Sequence, residues 1–315
     1  MDKGGRGMTK KERMLAFFSD QPVDHAPHCV FAHMPEERRF GQAGAEAQME
    51  FHRESKNSFL KIIVDLRFVV NYPLQRPEDW KAFQGFDPNE KYFQMNLDLL
   101  KRIVDMNQGE DLVYWTLFTP WNHARAMTRD DAVVNAHTYS RHPAFEDALK
   151  RLEDAVIRQA DIFFDAGVDG MYYASRGGEL NRFEDDIFQR YVKQYDLGVL
   201  DYINTRSRYN IFHMCGDNLR MEQYRDYECA AINWDIHGNH LPLQQGRAMF
   251  GRKVMGGLDN LASISNGTPE ETAQETRAVL ESYGKQGLIV GCDCTLAAYA
   301  PMDNIKAMAE VCDTY

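Results

Sequence analysis

Residues 209–216 read YNIFHMCG, and residues 288–294 read LIVGCDC. In each stretch an apolar run of strand length ends at residues that bind metals well, which is typical of a buried strand that leads into a functional site. His213 and Cys215 stand two residues apart, so their side chains share one face of the first strand. The two stretches therefore predict buried strands whose carboxyl ends carry the site.

Other apolar segments bounded by turn residues alternate with longer amphipathic stretches. This alternation predicts an α/β protein in which helices connect the strands of a parallel sheet. Eight predicted strands suit a (β/α)8 TIM barrel, and we expect a single domain of this kind over residues 1–315. The predicted strands are Cys29–Phe31, Ile62–Val64, Leu112–Phe118, Gly170–Ala174, Asn210–Met214, Ala230–Asp235, Lys253–Gly256 and Leu288–Gly291.

Two helices are predicted from local sequence signals. From Pro143 to Ala166 apolar residues recur three and four positions apart, which indicates one helix stripe. The segment from Thr268 to Tyr283 begins Thr-Pro-Glu-Glu, which supplies an N-cap hydroxyl, a proline in the first turn and a capping-box glutamate. Prolines interrupt the pattern before the second predicted strand, so we expect an N-terminal elaboration there.

Charge and composition exclude some classes of partner. The formal net charge of -11 argues against nucleic acid, because binding its phosphates requires clustered lysine and arginine. No apolar run approaches the roughly 20 residues that span a membrane, and the first residues lack the apolar stretch of a signal peptide. We therefore expect a cytoplasmic protein without a membrane segment. Its six cysteines favour metal or redox chemistry over a disulfide framework.

A zinc site is predicted from three residues that are far apart in the chain. In a barrel the strand ends face one cavity, so Cys294 can join His213 and Cys215 there. One imidazole and two thiolates suit zinc, and three protein ligands with an open position are typical of a catalytic site. Alternatives stay open: Cys292 can be a fourth ligand or a deeper core residue, and the set can be a structural clip or a histidine beside unreactive cysteines.

Seven motifs stand in a specific order and spacing: TLFTP (116–120), GVDG (167–170), HMCG (213–216), NWD (233–235), GGLD (256–259), GTPEE (267–271) and PMDN (301–304). Together they resemble the uroporphyrinogen decarboxylase superfamily, in particular its cobalamin-dependent methyltransferase branch. The resemblance implies that His213, Cys215 and Cys294 bind zinc, because Cys294 stands at the family's distance from Pro301. It also implies that cobalamin is carried by a partner, a corrinoid protein.

A decarboxylase is the alternative within the same superfamily. The true decarboxylases carry an arginine-rich R-Q-A-G-R segment for the substrate carboxylates, whereas this chain has only Gly41-Gln42-Ala43-Gly44. Without those arginines an eightfold carboxylated tetrapyrrole lacks its counter-charges. Methyl transfer is therefore favoured over decarboxylation.

Two directions of methyl transfer are compatible with the resemblance. A thiol at the zinc can lose its proton and take the methyl group of methylcobalamin, or the zinc can polarise the oxygen of a methoxylated compound while cob(I)alamin removes its methyl group. The second direction, O-demethylation, is favoured if aromatic side chains near the strand ends wall a pocket instead of packing the core. These side chains are Tyr72, Trp115, Phe118, Trp121, Tyr172 and Tyr173.

Two acidic residues are candidates for a catalytic role. Glu179 follows the fourth predicted strand and is expected to approach the metal as a displaceable ligand or an acid or base, unless it is solvated. Asp235 ends the sixth predicted strand and is expected to orient the substrate or the His213 ring, or else to cap the next turn. His237 and His240 are predicted to be surface residues.

Overall fold

A curled parallel β-sheet, consistent with a TIM-barrel-like fold, forms the centre of the protein. The computed structural model describes residues 7–64 and 66–315. Within these residues seven strands pair in chain order, each parallel to the next. The strands are β1 (Leu60–Ile62), β2 (Val113–Phe118), β3 (Gly170–Ser175), β4 (Ile211–Met214), β5 (Ala231–Trp234), β6 (Lys253–Leu258) and β7 (Leu288–Cys292).

The strand predictions from residue 112 onward are confirmed, with ends that differ by two residues at most. The prediction Ile62–Val64 is displaced, because β1 begins two residues earlier and ends at Ile62. Most residues of these strands are apolar because a parallel sheet in this fold is covered on both faces.

The prediction of a regular strand at Cys29–Phe31 is wrong. The segment makes only isolated parallel bridges to the chain around β7, at His28 with Val290 and at Ala32 with Leu296. On its other side the Asn57 side chain takes the place of a strand partner, since it accepts from Val30 N–H at 3.0 Å and donates to Val30 O at 2.8 Å. Side-chain hydrogen bonds thus replace a backbone ladder at this position, and the described residues contain seven strands instead of eight.

Helices precede and follow the strands. Both predicted helices are confirmed, and Thr268 and Glu271 form the predicted capping box. Within the described residues, no helix combines the length and apolarity needed to cross a membrane. The helices are α1 (Lys10–Phe18), α2 (Gly41–Glu54), α3 (Lys91–Asn107), α4 (Pro120–Thr128), α5 (Asp131–Ser140), α6 (Pro143–Asp165), α7 (Asp185–Phe188), α8 (Gln194–Arg206), α9 (Ile236–Asn239), α10 (Leu243–Phe250), α11 (Ser263–Asn266), α12 (Pro269–Tyr283) and α13 (Met302–Thr314).

The hydrophobic core has two parts. The larger part joins the outward-facing residues of the strands to the helices, and it includes Phe163 of α6 and Leu280 of α12. The smaller part contains inward-facing residues such as Ile211 and Met255, packed with Met14 of α1. Side chains two residues apart share a face of a strand. The next inward-facing residue after this inner layer therefore lies closer to the carboxyl end of its strand.

Candidate metal centre and active-site cavity

His213 and Cys215 reach the inner face at the end of β4. His213 stands two residues after Ile211 of the inner core, so its ring points inward, and the side chain is buried. Cys215 continues the strand pairing, because its N–H donates to Ser175 O at 3.0 Å. Gly216 then turns the chain at a φ of +125°, a conformation that favours glycine.

Cys294 meets these two residues from the loop that follows β7. Its sulfur lies 3.8 Å from Nε2 of His213, and the ligand atoms of the three residues lie within 4.8 Å of one another. A tetrahedral zinc ion about 2.3 Å from sulfur and about 2.0 Å from nitrogen separates such atoms by roughly 3.5–3.8 Å. The arrangement therefore fits a zinc ion held by these three residues. Cys292, in contrast, is packed in the hydrophobic core and does not join the group.

The two thiols of this group influence each other. The Cys294 sulfur accepts a hydrogen bond from Cys215 and lies beside the His213 ring, and this lowers the pKa of Cys294 to about 3. In return the same hydrogen bond, together with burial, raises the pKa of Cys215. The two thiols are thus joined by a hydrogen bond whose proton a bound cation would displace, since a thiol binds a metal as the thiolate.

Asn233 holds the His213 ring in place, a role that the sequence analysis did not assign to it. Its side-chain oxygen lies 2.5 Å from Nδ1 of His213 and accepts from the Tyr172 hydroxyl at 2.7 Å. Its amide donates to the carbonyls of Met255 and Cys292, which fixes the direction of the side chain. With Nδ1 engaged, Nε2 is the nitrogen that faces the two sulfurs.

Lys61 brings a cation to the same cavity, and the sequence analysis missed it. Its side chain is buried, and Nζ donates to Thr116 Oγ1 at 2.8 Å. Nζ also lies 3.7 Å from the ring centre of Phe31 and 4.2 Å from that of Tyr172. Burial lowers the pKa of Lys61 to about 7. Its position inside an apolar run resembles a core residue in sequence, so only the sheet geometry reveals it.

The cavity above the three metal-type residues has a volume of about 130 Å³. Lys61 and Arg176 line it together with His213. Within residues 7–64 and 66–315 the Arg176 side chain has no ion pair or hydrogen bond. A larger cavity of about 280 Å³ lies next to it and shares His33 with it, but contains none of the three. The smaller cavity is therefore the candidate active site.

The predicted aromatic wall is realised only in part. Phe118 and Tyr172 line the cavity. Trp115, Trp121 and Tyr173 are completely buried in the core, and Tyr72 packs against its edge. Most of these aromatic residues thus stabilise the fold instead of meeting a substrate.

Glu179 forms an ion pair with Arg182. Both of its carboxylate oxygens accept from Arg182, at 2.9 and 3.2 Å, and Arg182 also pairs with Asp131 of α5. Glu179 lies close enough to Cys215 for its charge to act on that thiol, yet it is not among the three grouped residues. The arginine three residues later was the sequence signal for this pairing.

Asp235 caps α9 and does not contact the His213 ring. It accepts from Gly238 N–H at 2.6 Å, which is the capping alternative. His237 is half-exposed, but its Nδ1 lies 2.6 Å from Asp293 Oδ2. Burial, and then the neighbouring Asp293, raise the pKa of Asp235 to about 6. His240 is exposed at the end of α9, as predicted.

The fold and the site together define a TIM-barrel-like protein with a histidine and two thiols in a cavity at the strand ends. The sequence matches the uroporphyrinogen decarboxylase (URO-D) family over residues 65–315, so the chain belongs to that family. The segment Gly41–Gly44 lies at the start of α2 and does not line the cavity.

Relatives of the chain are methyltransferases. The methylcobamide:CoM methyltransferase MtbA of Methanosarcina acetivorans is 21% identical over 250 residues, which are 78% of this chain and 71% of that protein. A methylated-thiol–coenzyme M methyltransferase of Methanosarcina mazei is 28% identical over 106 residues, 32% of this chain and 27% of that protein.

Solved structures share the fold. A methyltransferase from Methanosarcina mazei has a TM-score of 0.77 at 16% identity, with 98% of this chain and 99% of that chain covered. A B12-independent methionine synthase from a Shewanella species has a TM-score of 0.57 at 14% identity, with 91% of this chain and 97% of that chain covered.

Proposed function

We propose that this protein is a zinc-dependent methyltransferase that moves a methyl group between a small substrate and the cobalt of a corrinoid carried by a partner protein. The observation that carries the proposal is the approach of Cys294 Sγ to within 3.8 Å of His213 Nε2, beside Cys215. The methyltransferase relatives in the same family support it.

His213, Cys215 and Cys294 would hold the zinc, and Asn233 would keep Nε2 of His213 directed at it. When bound there, zinc supplies Lewis acidity that stabilises a substrate thiolate or polarises an ether oxygen at its open position. Zinc with two thiolates and one neutral imidazole is formally neutral, so a substrate thiolate at the open position gives the centre a net negative charge. Lys61 provides a cation in the same cavity that offsets this charge.

A small thiol is the substrate class that we propose first. A cavity of about 130 Å³ is far below the roughly 300–1,000 Å³ of pockets for drug-sized ligands, so it suits a compact molecule and not a tetrapyrrole. The relatives' names refer to coenzyme M and a methylated thiol. Burial of Trp115, Trp121 and Tyr173 in the core removes much of the aromatic wall that favoured a methoxylated substrate.

Exposed apolar side chains support a partner that docks at the strand ends. Among the described residues, seven large hydrophobic side chains are exposed, and four of them belong to loops that follow strands. A patch of exposed apolar side chains often marks a protein interface, and we propose that these four belong to one. We propose that the corrinoid protein binds there, which brings its cobalt to the cavity. The four are Val69, Leu180, Leu261 and Tyr299.

The proposal also includes the domain organisation of the chain. We take residues 1–315 as one domain in which the segment 27–32 occupies the eighth position of a (β/α)8 barrel, between β7 and β1. The bridges from His28 to Val290 and from Ala32 to Leu296 support this. The residues before β1 would then include the N-terminal elaboration.

Metal content and methyl transfer test the proposal together. We expect the purified protein to contain about one zinc per chain, Cys294→Ser to lose it, and Cys292→Ala to retain it as the matched control. The loaded protein should demethylate methylcobalamin when a small thiol is added, which optical spectra of the cobalamin detect. Transfer from methoxyarenes to cob(I)alamin is the second arm. Zinc loss in Cys292→Ala but not in Cys294→Ser, or decarboxylation of a uroporphyrinogen instead of methyl transfer, would contradict the proposal.

A further inference from the structure

We infer that Asp235, His237 and Asp293 form a second divalent-cation site, separate from the histidine and thiol group. One ligand atom from each of the three residues lies within 4.8 Å of the others. Asp235 follows β5, and Asp293 follows β7, so the two loops meet beside the first site. No thiol takes part in this second group.

Hydrogen bonds link the three side chains, and a cation would take their place. Asp235 Oδ1 accepts from Gly238 N–H, and the Asp235 carboxyl group also lies beside Asp293. His237 Nδ1 lies 2.6 Å from Asp293 Oδ2, so a cation bound there would replace the proton that the two atoms share, and the His237 side chain is half-exposed. A cation that enters from the solvent would therefore meet the imidazole first and the buried carboxylate behind it.

An unpartnered buried oxygen points to a missing ligand. Asp293 is only 1% exposed, yet no N–H or hydroxyl group of the described residues donates to its Oδ1, and the side chain beside it is the Asp235 carboxyl group. A buried polar atom without a partner costs about 1–3 kcal/mol, and more when it is charged. Coordination of a cation would satisfy this oxygen, since a carboxylate can bind a metal through either oxygen or both.

The surrounding charge also favours a cation. The charges of Asp259 and Glu275 also act on His237, in addition to those of Asp235 and Asp293, so four carboxylates contribute to the negative potential at this imidazole. In the described parts of the chain, none of the four carboxylates pairs with a lysine or arginine. A divalent ion would neutralise this excess negative charge.

The ligand types indicate which ions bind. Two carboxylates and one imidazole suit hard to borderline divalent ions such as Mn²⁺, Fe²⁺ and Co²⁺, whereas the soft thiolates of the first site select zinc. The open positions would be filled by water. Asp293 directly precedes Cys294, so an ion that joins Asp293 to Asp235 would fix the backbone beside a ligand of the first site.

Binding of Mn²⁺ to the zinc-loaded full-length protein tests the inference. We expect about one Mn²⁺ per chain to lose its free-ion EPR signal, with an affinity that falls roughly tenfold or more in His237→Gln. His240→Gln, an exposed histidine on the same short helix, should bind as the wild type does. Asp235→Asn serves as a second variant, and circular dichroism establishes that each variant is folded.

Two outcomes would overturn the inference. One is that neither Mn²⁺ nor Co²⁺ binds to the zinc-loaded wild type, which means that the cluster holds only protons. The other is that both ions bind equally well to His237→Gln and Asp235→Asn. The variant Cys215→Ser with Cys294→Ser separates this inference from the proposed function, because it should lose zinc and still bind Mn²⁺.

Discussion

The side-chain oxygen of Asn233 lies 2.5 Å from Nδ1 of His213, and the register of the sheet produces this contact. His213 and Asn233 are paired residues on neighbouring strands β4 and β5. Their side chains therefore stand side by side on the inner face, where the amide can orient the ring.

Asn233→Ala should weaken zinc binding without removing a zinc ligand. Loss of a group that orients a metal-binding histidine typically costs about 10–100-fold in metal affinity, and we expect a loss in that range. Competition with a chromophoric chelator measures it. Asn89→Ala, at an exposed position, is the control and should leave the affinity unchanged. Equal affinity in both variants would show that Asn233 does not orient His213.

Lys61→Met should lower the turnover of the enzyme without lowering the stability of its fold. We expect zinc content to stay unchanged and turnover to fall, by roughly a hundredfold if the ammonium stabilises charge in the transition state. The free energy of unfolding should stay equal or rise, because the substitution removes a charge that burial disfavours. Lys193→Met, at another buried lysine outside the cavity, should not lower turnover. A Lys61→Met enzyme with full turnover would argue against the proposed charge compensation.

Leu261→Glu should impair the reaction with the corrinoid protein but not with free cobalamin. The side chain is 62% exposed in the loop after β6. A charge there should weaken binding of a docked partner without lowering the stability of the fold. We expect the apparent KM for the corrinoid protein to rise about tenfold, which corresponds to about 1.4 kcal/mol and lies within the range of residues that contribute to an interface. Met106→Glu, at the end of α3, is the control. An equal effect of both variants would place the docking surface elsewhere.

Mild acid should destabilise the protein through His123. This residue is completely buried, its Nδ1 accepts from Phe68 N–H at 3.3 Å, and burial lowers its pKa to about 3. The unfolded chain takes up the proton near the ordinary histidine value of about 6.5, whereas the native protein does not until about pH 3. The stability that the neutral ring contributes above pH 6.5 is therefore lost as the pH falls toward 3.

Denaturant unfolding between pH 6.5 and 5 measures this loss. A buried neutral histidine contributes about 1.4 kcal/mol per pH unit below its unfolded pKa. The slope should become smaller by that amount in His123→Gln and stay unchanged in His240→Gln. An unchanged slope in His123→Gln would mean that the ring is protonated in the native state.

The sequence predicts the part of the site that depends on spacing along one strand. His213 and Cys215 follow from the two-residue period of a strand, Cys294 can join them because strand ends of a barrel face one cavity, and the resemblance to the family selects Cys294 over Cys292. Asn233 and Lys61 depend on which residues face each other across strands, and a single sequence does not state that register. A lysine within an apolar run also resembles a core residue in sequence, whereas here its amino group lies in the cavity beside the rings of Phe31 and Tyr172.

Most strands were predictable from spacing along the chain, and the prediction of a regular strand was wrong for one segment. Apolar runs separated by amphipathic helices identify most strands because both faces of the sheet are buried. At Cys29–Phe31 the apolar run is present, but the Asn57 side chain supplies the hydrogen bonds that a neighbouring strand would otherwise make. A hydrophobic pattern does not reveal that a side chain takes the place of a neighbouring strand.

The join between the segment 27–32 and β1 has a consequence for the size of the cavity. The two segments are joined by a backbone hydrogen bond from Ser58 N–H to His28 O and by the hydrogen bonds of the Asn57 side chain. Among the residues that the structure describes, there is no continuous ladder of backbone hydrogen bonds between them. Phe31, which lines the cavity, belongs to this segment. Widening the cavity at this join breaks fewer backbone bonds than separating two regular strands, so evolution or design can enlarge the substrate range of the protein there at the least expense of sheet stability.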